Sequence, residues 1–117
     1  MSGLEVEHIT RQDGKTFVYR LRGVLGESTY SFEFLEELRR QVKEGPDRIV
    51  LNLADLEYIT SSGVGVVAAA YTSARRANKK LCLACVPRKV QRVLDICGVF
   101  DAVDHYESED AAAAEGS

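Results

Sequence analysis

Long apolar runs are missing from this chain. No stretch approaches the roughly 20 consecutive apolar residues that cross a bilayer, and the opening MSGLEVEHIT has no signal-peptide layout. A cytoplasmic protein that does not insert into membranes is expected. A positive surplus is missing too. Fifteen Lys and Arg against 18 Asp and Glu leave a net charge of −3, whereas gripping a nucleic-acid backbone usually takes a basic excess. Cysteine is scarce and odd in number, at three, which gives no disulfide framework. Cys82 and Cys85 do spell C-x-x-C, but within KLCLACV, a strand-like run where residues three apart point to opposite faces. That placement neither chelates one metal nor sets a redox pair at a helix start. All three thiols lie in apolar settings and read as buried and inert, so neither metal nor cofactor is expected.

Catalytic signatures are equally thin. The chain contains no G-x-S-x-G elbow, no G-x-x-x-x-G-K-[ST] loop and no G-x-G-x-x-G. Its two histidines, His8 and His105, sit near opposite ends in strand-like runs, neither marked as the base a serine nucleophile needs. A phosphoacceptor-aspartate receiver would require an acidic cluster at strand ends, and after RIVLNLA only Asp55 is offered. The chain is not expected to be an enzyme.

What is present is alternation. With 117 residues, 45% of them hydrophobic and 28% charged, the chain makes one domain with a proper core. LEVEHIT and KTFVYRLRG alternate apolar and polar around RQDG and read as an antiparallel hairpin. Phe17, Tyr19 and Leu21 share one face of the second run. GVLGES then breaks the pattern. From Ser31 to about Glu44 the period becomes helical, with Phe32, Leu35, Leu38 and Val42 on the apolar stripe and Phe34 at its edge. Ser28, Thr29 or Ser31 can cap this helix, and Gly45-Pro46 ends it. RIVLNLA reads as a strand covered on both faces. SSGVGVVAAAYTSARRAN, Ser61 to Asn78, reads as a helix of small residues held by packing rather than propensity. KKLCLACV is a further strand. Pro87 opens a helix with Val90, Val93, Leu94 and Cys97 on its apolar face and Gly98 at its end. VFDAVDHY reads as a last strand. The basic groups Arg75, Arg76, Lys79, Lys80 and Arg88, Lys89, Arg92 read as solvated helix faces. The expected fold is α/β: about five strands in a mixed, mostly parallel sheet that begins with the hairpin, with helices packed against it. Residues 1–107 form the domain and 108–117 an acidic, Ala-rich tail, either a short helix begun at Ser108 or disordered.

The densest signal is YITSSGVG, where a strand hands over to a helix. Functional groups of open α/β sheets gather at such ends. Thr60, Ser61 or Ser62 can cap the helix. Gly63 and Gly65 clear its first turn, so that another backbone can come close.

Ser61, Ser62, Gly63, Val64 and Gly65, together with RRANKKLCL and VQRVLDICGV, resemble the STAS domain of bacterial anti-sigma factor antagonists, over about Leu4 to Tyr106. The resemblance implies a binding protein, a monomer or homodimer, whose partner is an anti-sigma factor that is also a serine kinase. In that family the turn reads Asp-Ser-Ser/Thr-Gly-hydrophobic-Gly, and the serine after the aspartate is phosphorylated, which ends partner binding. Carried over, that serine is Ser61, with a phosphatase of the PP2C type to reset it. The implied docking surface is Gly26, Glu27, Ser28, Thr60, Ser61, Ser62, Gly63 and Val64. Two positions depart from the family pattern. Thr60 stands for the aspartate of the turn, and Gly26 for the aspartate of the family's Gly-Glu-Leu-Asp, here GVLG, with Glu27 one residue further on. The alternative is a STAS scaffold or sensor without the switch, in a signalling assembly or a transporter complex.

Overall fold

The computed structural model describes residues 3–11 and 14–114. Five strands, β1 (Leu4–Thr10), β2 (Thr16–Leu25), β3 (Arg48–Ile59), β4 (Lys80–Ala84) and β5 (His105–Tyr106), lie in the order β1-β2-β3-β4-β5. The β1–β2 pair is antiparallel and the others are parallel. The RQDG turn between β1 and β2 falls partly outside the described residues. Because the parallel strands add in sequence, crossovers of one hand bring their helices to one face of the sheet. These helices are α1 (Thr29–Gln41), α2 (Ser61–Arg76), α3 (Arg88–Ile96) and the single turn α4 (Val99–Ala102). The main core fills that interface, with Tyr19, Leu21, Ile49, Leu51 and Leu83 meeting Leu38, Val67, Ala70 and Leu94. Ala70 and Ala74 are fully buried, which lets α2 lie close to the strands.

The second face of the sheet carries a smaller cluster, Val18, Val50, Cys82 and Ala84, which is covered by Ala112 of α5 (Glu109–Ala114). Six residues cannot hold a helix in water by themselves, so contacts pin it. Glu109 receives two 2.9 Å hydrogen bonds from Arg20 and one of 2.8 Å from Asn52. Arg11 pairs with Asp110 at 3.0 Å, and Arg48 donates to the Ala112 carbonyl at 3.2 Å. These bonds hold the Glu109 carboxyl below its usual pKa, Arg20 contributing most and burial opposing it.

Several expectations need correcting. The core residue of α1 is Phe34, 4% exposed, and Phe32 stands out at 53%. The helix begins two residues earlier than the pattern indicated, and its buried stripe is Ser31, Phe34, Leu35, Leu38 and Val42. Phe32 is about 100° round from Ser31 and misses that stripe. β2 continues through GVL and β3 through DLEYI, because register shifts between Arg20/Arg22 and Gly23/Val24 keep them paired. The shifts replace strict alternation with burial at Leu53, Leu56 and Ile59, which hides the strand from a period of two. VFDA is helical, leaving only His105–Tyr106 as strand. Cys85 lies just beyond β4 at φ +58°, and Cys97 is exposed at the end of α3 instead of lying on its apolar face.

Candidate functional site

β2, α1, β3 and α2 meet where YITSSGVG leaves the sheet. Thr60 has extended dihedrals and caps α2, its Oγ1 accepting the Gly63 N–H at 3.1 Å. The Thr60 N–H donates to the Leu25 carbonyl at 3.0 Å, tying the turn to the end of β2. Gly63 is wedged against that same carbonyl: a Cβ there would sit 2.1 Å from the Leu25 oxygen and 2.8 Å from Ile59 Cγ1. No side chain fits. Gly65 differs, because a Cβ there would meet nothing within 4 Å.

The three consecutive hydroxyls have separate fates. Thr60 is spent on the cap. Ser62, exposed, lies 3.4 Å from a Glu27 carboxylate oxygen, to which it donates. Ser61, the first residue of α2, is exposed, and its hydroxyl makes no hydrogen bond among the described residues. Helix starts leave N–H groups unpaired and carry a partial positive charge. α2 has no acidic residue in its first turn to offset it. An anion on Ser61 would meet the favourable field of the helix start, opposed by the Glu27 carboxylate beside Ser62.

The two departures from the family pattern lie side by side, close enough that a side chain at 26 would press on Thr60. A Cβ on Gly26 would sit 3.0 Å from Thr60 Oγ1 and 3.2 Å from its Cγ2. Thr60 cannot turn its hydroxyl away without giving up the cap. Glycine at 26 and threonine at 60 are thus one packing solution. The Gly26 N–H is itself held at 3.0 Å by Ser31 Oγ, and Ser28 caps α1 by accepting the Ser31 N–H.

Of the eight residues expected at the docking surface, Glu27, Ser61 and Ser62 are exposed, and Ser28 and Thr60 are half-buried. Gly26, Gly63 and Val64 are buried and shape the turn from below. Two exposed neighbours were not singled out from sequence. Tyr58, two residues before the cap, is 51% exposed, and Tyr30, in the first turn of α1, is 58% exposed. Tyrosines in exposed surface are enriched at protein interfaces. A signal was present for Tyr58, which breaks the strand pattern two residues ahead of the hydroxyls. Among the described residues no cluster of His, Cys, Asp or Glu could hold a metal ion, and no helix is long and apolar enough to cross a membrane.

The fold is that of an α/β domain which presents an exposed serine hydroxyl at a helix start. The STAS domain model matches residues 7–112, and the chain belongs to the STAS domain family. It is 36% identical over 94 residues to BtrV of Bordetella bronchiseptica, assigned as an anti-sigma factor antagonist, covering 80% of each chain. It is 27% identical over 112 residues to an anti-sigma F factor antagonist of Paenibacillus polymyxa, covering 96% of this chain and 92% of that one. Unphosphorylated SpoIIAA, an anti-sigma factor antagonist, superposes with a TM-score of 0.65 at 23% identity over 93% and 92% of the two chains. A sulfate transporter family protein of Wolinella succinogenes shares the fold with a TM-score of 0.70 at 17% identity over 90% and 91%. The family is one of binding domains, not enzymes.

Proposed function

We propose that this chain is an anti-sigma factor antagonist: it docks an anti-sigma factor kinase through the start of α2, and phosphorylation of Ser61 ends the docking. The observation that carries the reading is the Ser61 hydroxyl, exposed at a helix start and without a hydrogen bond among the described residues, while both neighbouring hydroxyls are engaged. Gly65 supports it. An exposed helical glycine costs about 1 kcal/mol relative to alanine, and among the described residues no atom crowds a side chain at that position. A partner lying against the first turn of α2 supplies the missing reason.

Phosphate on Ser61 adds about −1.5 to −2 charges. The helix start stabilises that charge within the domain, so the fold is kept. The effect falls on the partner, whose contact with the turn is replaced by a hydrated dianion. With glycine at 26 and threonine at 60, the phosphate meets no carboxylate from those positions, and like-charge repulsion is lower than the family pattern gives. The test is binding of the purified domain to the anti-sigma factor kinases of its own cell, with phosphate mapped by mass spectrometry. Ser61→Asp should weaken binding at least about tenfold, some 1.4 kcal/mol, with melting almost unchanged. Equal affinity of parent and Ser61→Asp refutes the switch.

One observation favours a second reading, a STAS scaffold or transporter subunit without the switch. With Gly26 and Thr60 the turn carries neither family carboxylate, and a side chain at 26 would press on Thr60. In that case no phosphate is found on Ser61, and gel filtration gives a large assembly instead of a monomer or dimer.

A further inference from the structure

We infer that a groove beside the start of α1 is a second contact for the same partner and accepts a cationic side chain, preferably arginine. The inference rests on the docking reading above and extends the footprint away from Ser61. The groove encloses about 640 Å³ and is lined by Leu4, Glu5, Arg22, Ser28, Tyr30 and Glu57. Tyr30 offers an exposed ring. One edge of it lies beside Gly3, where an added Cβ would come within 3.3 Å of Cδ2 and Cε2. Glu5 and Glu57 are exposed and make no ion pair among the described residues. Arg22, opposite Glu5 in the β1–β2 register, also faces the groove. Two carboxylates and one guanidinium leave the lining negative.

An aromatic face bordered by free carboxylates is cation-binding chemistry. The ring quadrupole attracts the charge and the carboxylates accept its N–H groups. Guanidinium suits the place better than ammonium, because its plane can lie on the ring while its edge donates. The groove also joins the Ser61 surface without a gap in the chain. Ser28 lines the groove, Glu27 before it meets Ser62, and Ser62 adjoins Ser61. A partner seated on the hydroxyls thus reaches Tyr30 and Glu57 in one step along its surface. Charge complementarity gives register rather than bulk affinity.

The test uses the full-length, 15N-labelled protein titrated with N-acetyl-arginine methylamide, with the citrulline analogue as the uncharged control. Saturable amide shifts are expected around residues 3–5, 22–23, 28–30 and 57, and none from citrulline. Tyr30→Ala and Glu57→Gln should each weaken the arginine analogue about two- to fivefold, and Ser61→Asp should leave it unchanged. Glu57→Lys should also weaken docking of the anti-sigma factor. Equal shifts from citrulline, shifts spread over all acidic surface, indifference to both groove variants, or anti-sigma binding untouched by Glu57→Lys would overturn the proposal. Failure of the docking reading shows separately: Ser61→Asp then has no effect on the anti-sigma factor, and the arginine titration is unaffected.

Discussion

Gly63 and Gly65, two residues apart on one turn, should respond in opposite ways to the same substitution. At Gly63 an alanine methyl would stand 2.1 Å from the Leu25 carbonyl oxygen, 2.7 Å from its carbon and 2.8 Å from Ile59 Cγ1. Relief requires the helix start to retreat by more than an ångström from backbone that cannot rotate away. The Leu25 oxygen also receives the Thr60 N–H, so retreat stretches the tie that seats the turn. Overpacking costs about 1–3 kcal/mol and the weakened hydrogen bond about 1 more, giving roughly 2–4 kcal/mol for Gly63→Ala. At Gly65 the methyl meets nothing, and helix propensity alone stabilises by about 1 kcal/mol. Urea denaturation at constant m should separate the two variants by about 3–5 kcal/mol, and melting temperatures should move in opposite directions by roughly 3–6 °C per kcal/mol. A Gly63→Ala protein as stable as the parent would refute the wedge between α2 and β2. A destabilised Gly65→Ala would refute the claim that this glycine has no reason inside the chain. If Gly65→Ala is more stable yet weaker in docking the anti-sigma factor, the open glycine belongs to the interface.

Gly26→Ala should destabilise, and Thr60→Ala, which alone forfeits a cap worth about 1 kcal/mol, should be less costly in its presence; a double-mutant cycle in urea should give about 0.5–1 kcal/mol of coupling, and strict additivity counts against the contact. Glu109 is depressed by Arg20 and Asn52, so its contribution is full above the unfolded carboxyl pKa of about 4.3 and is lost as pH falls through the lower folded value. Glu109→Gln should remove that part of the acid sensitivity, read as the urea midpoint between pH 7 and pH 3. Tyr19 is 1% exposed, and its hydroxyl finds no hydrogen-bond partner among the described residues. Tyr19→Phe should therefore be neutral or stabilising by up to about 1 kcal/mol in thermal melts. A thiol reagent should modify exposed Cys97 first, then half-buried Cys85, and buried Cys82 only on unfolding; desolvation pushes the thiols of Cys82 and Cys85 up and slows both.

The hairpin, the alternation of strand and helix, and the handover at Thr60–Ser61 are written in local periodicity, which is why they could be read without coordinates. What stayed hidden depends on pairing between distant residues. The far halves of β2 and β3 hold together through register shifts that break the period of two, so GVL read as a break in the pattern and the third strand was read only as far as Ala54. Phe34 and Phe32 exchange places because the buried stripe of α1 runs through Ser31, Phe34, Leu35 and Leu38. The sequence allowed the Ser28 cap beside two others, and packing against the sheet, not the local pattern, decides which stripe is buried. Gly26 and Thr60 lie side by side across 34 positions, and only the folded chain shows that two apparent losses are one fit. Likewise, Gly63 and Gly65 look alike in a motif, and only their surroundings separate the structural glycine from the open one.

The placement of α5 has a consequence for biosynthesis. The hairpin, β3 and β4 leave the ribosome well before residues 109–114, so the stripe formed by Val18, Val50 and Cys82 faces water until the final helix arrives. Nascent chains halted in that interval would expose one greasy side of an otherwise assembled sheet, a surface prone to sticking to its own kind. Stop codons shortly after Tyr106 should therefore yield inclusion bodies more readily than their small loss of mass implies.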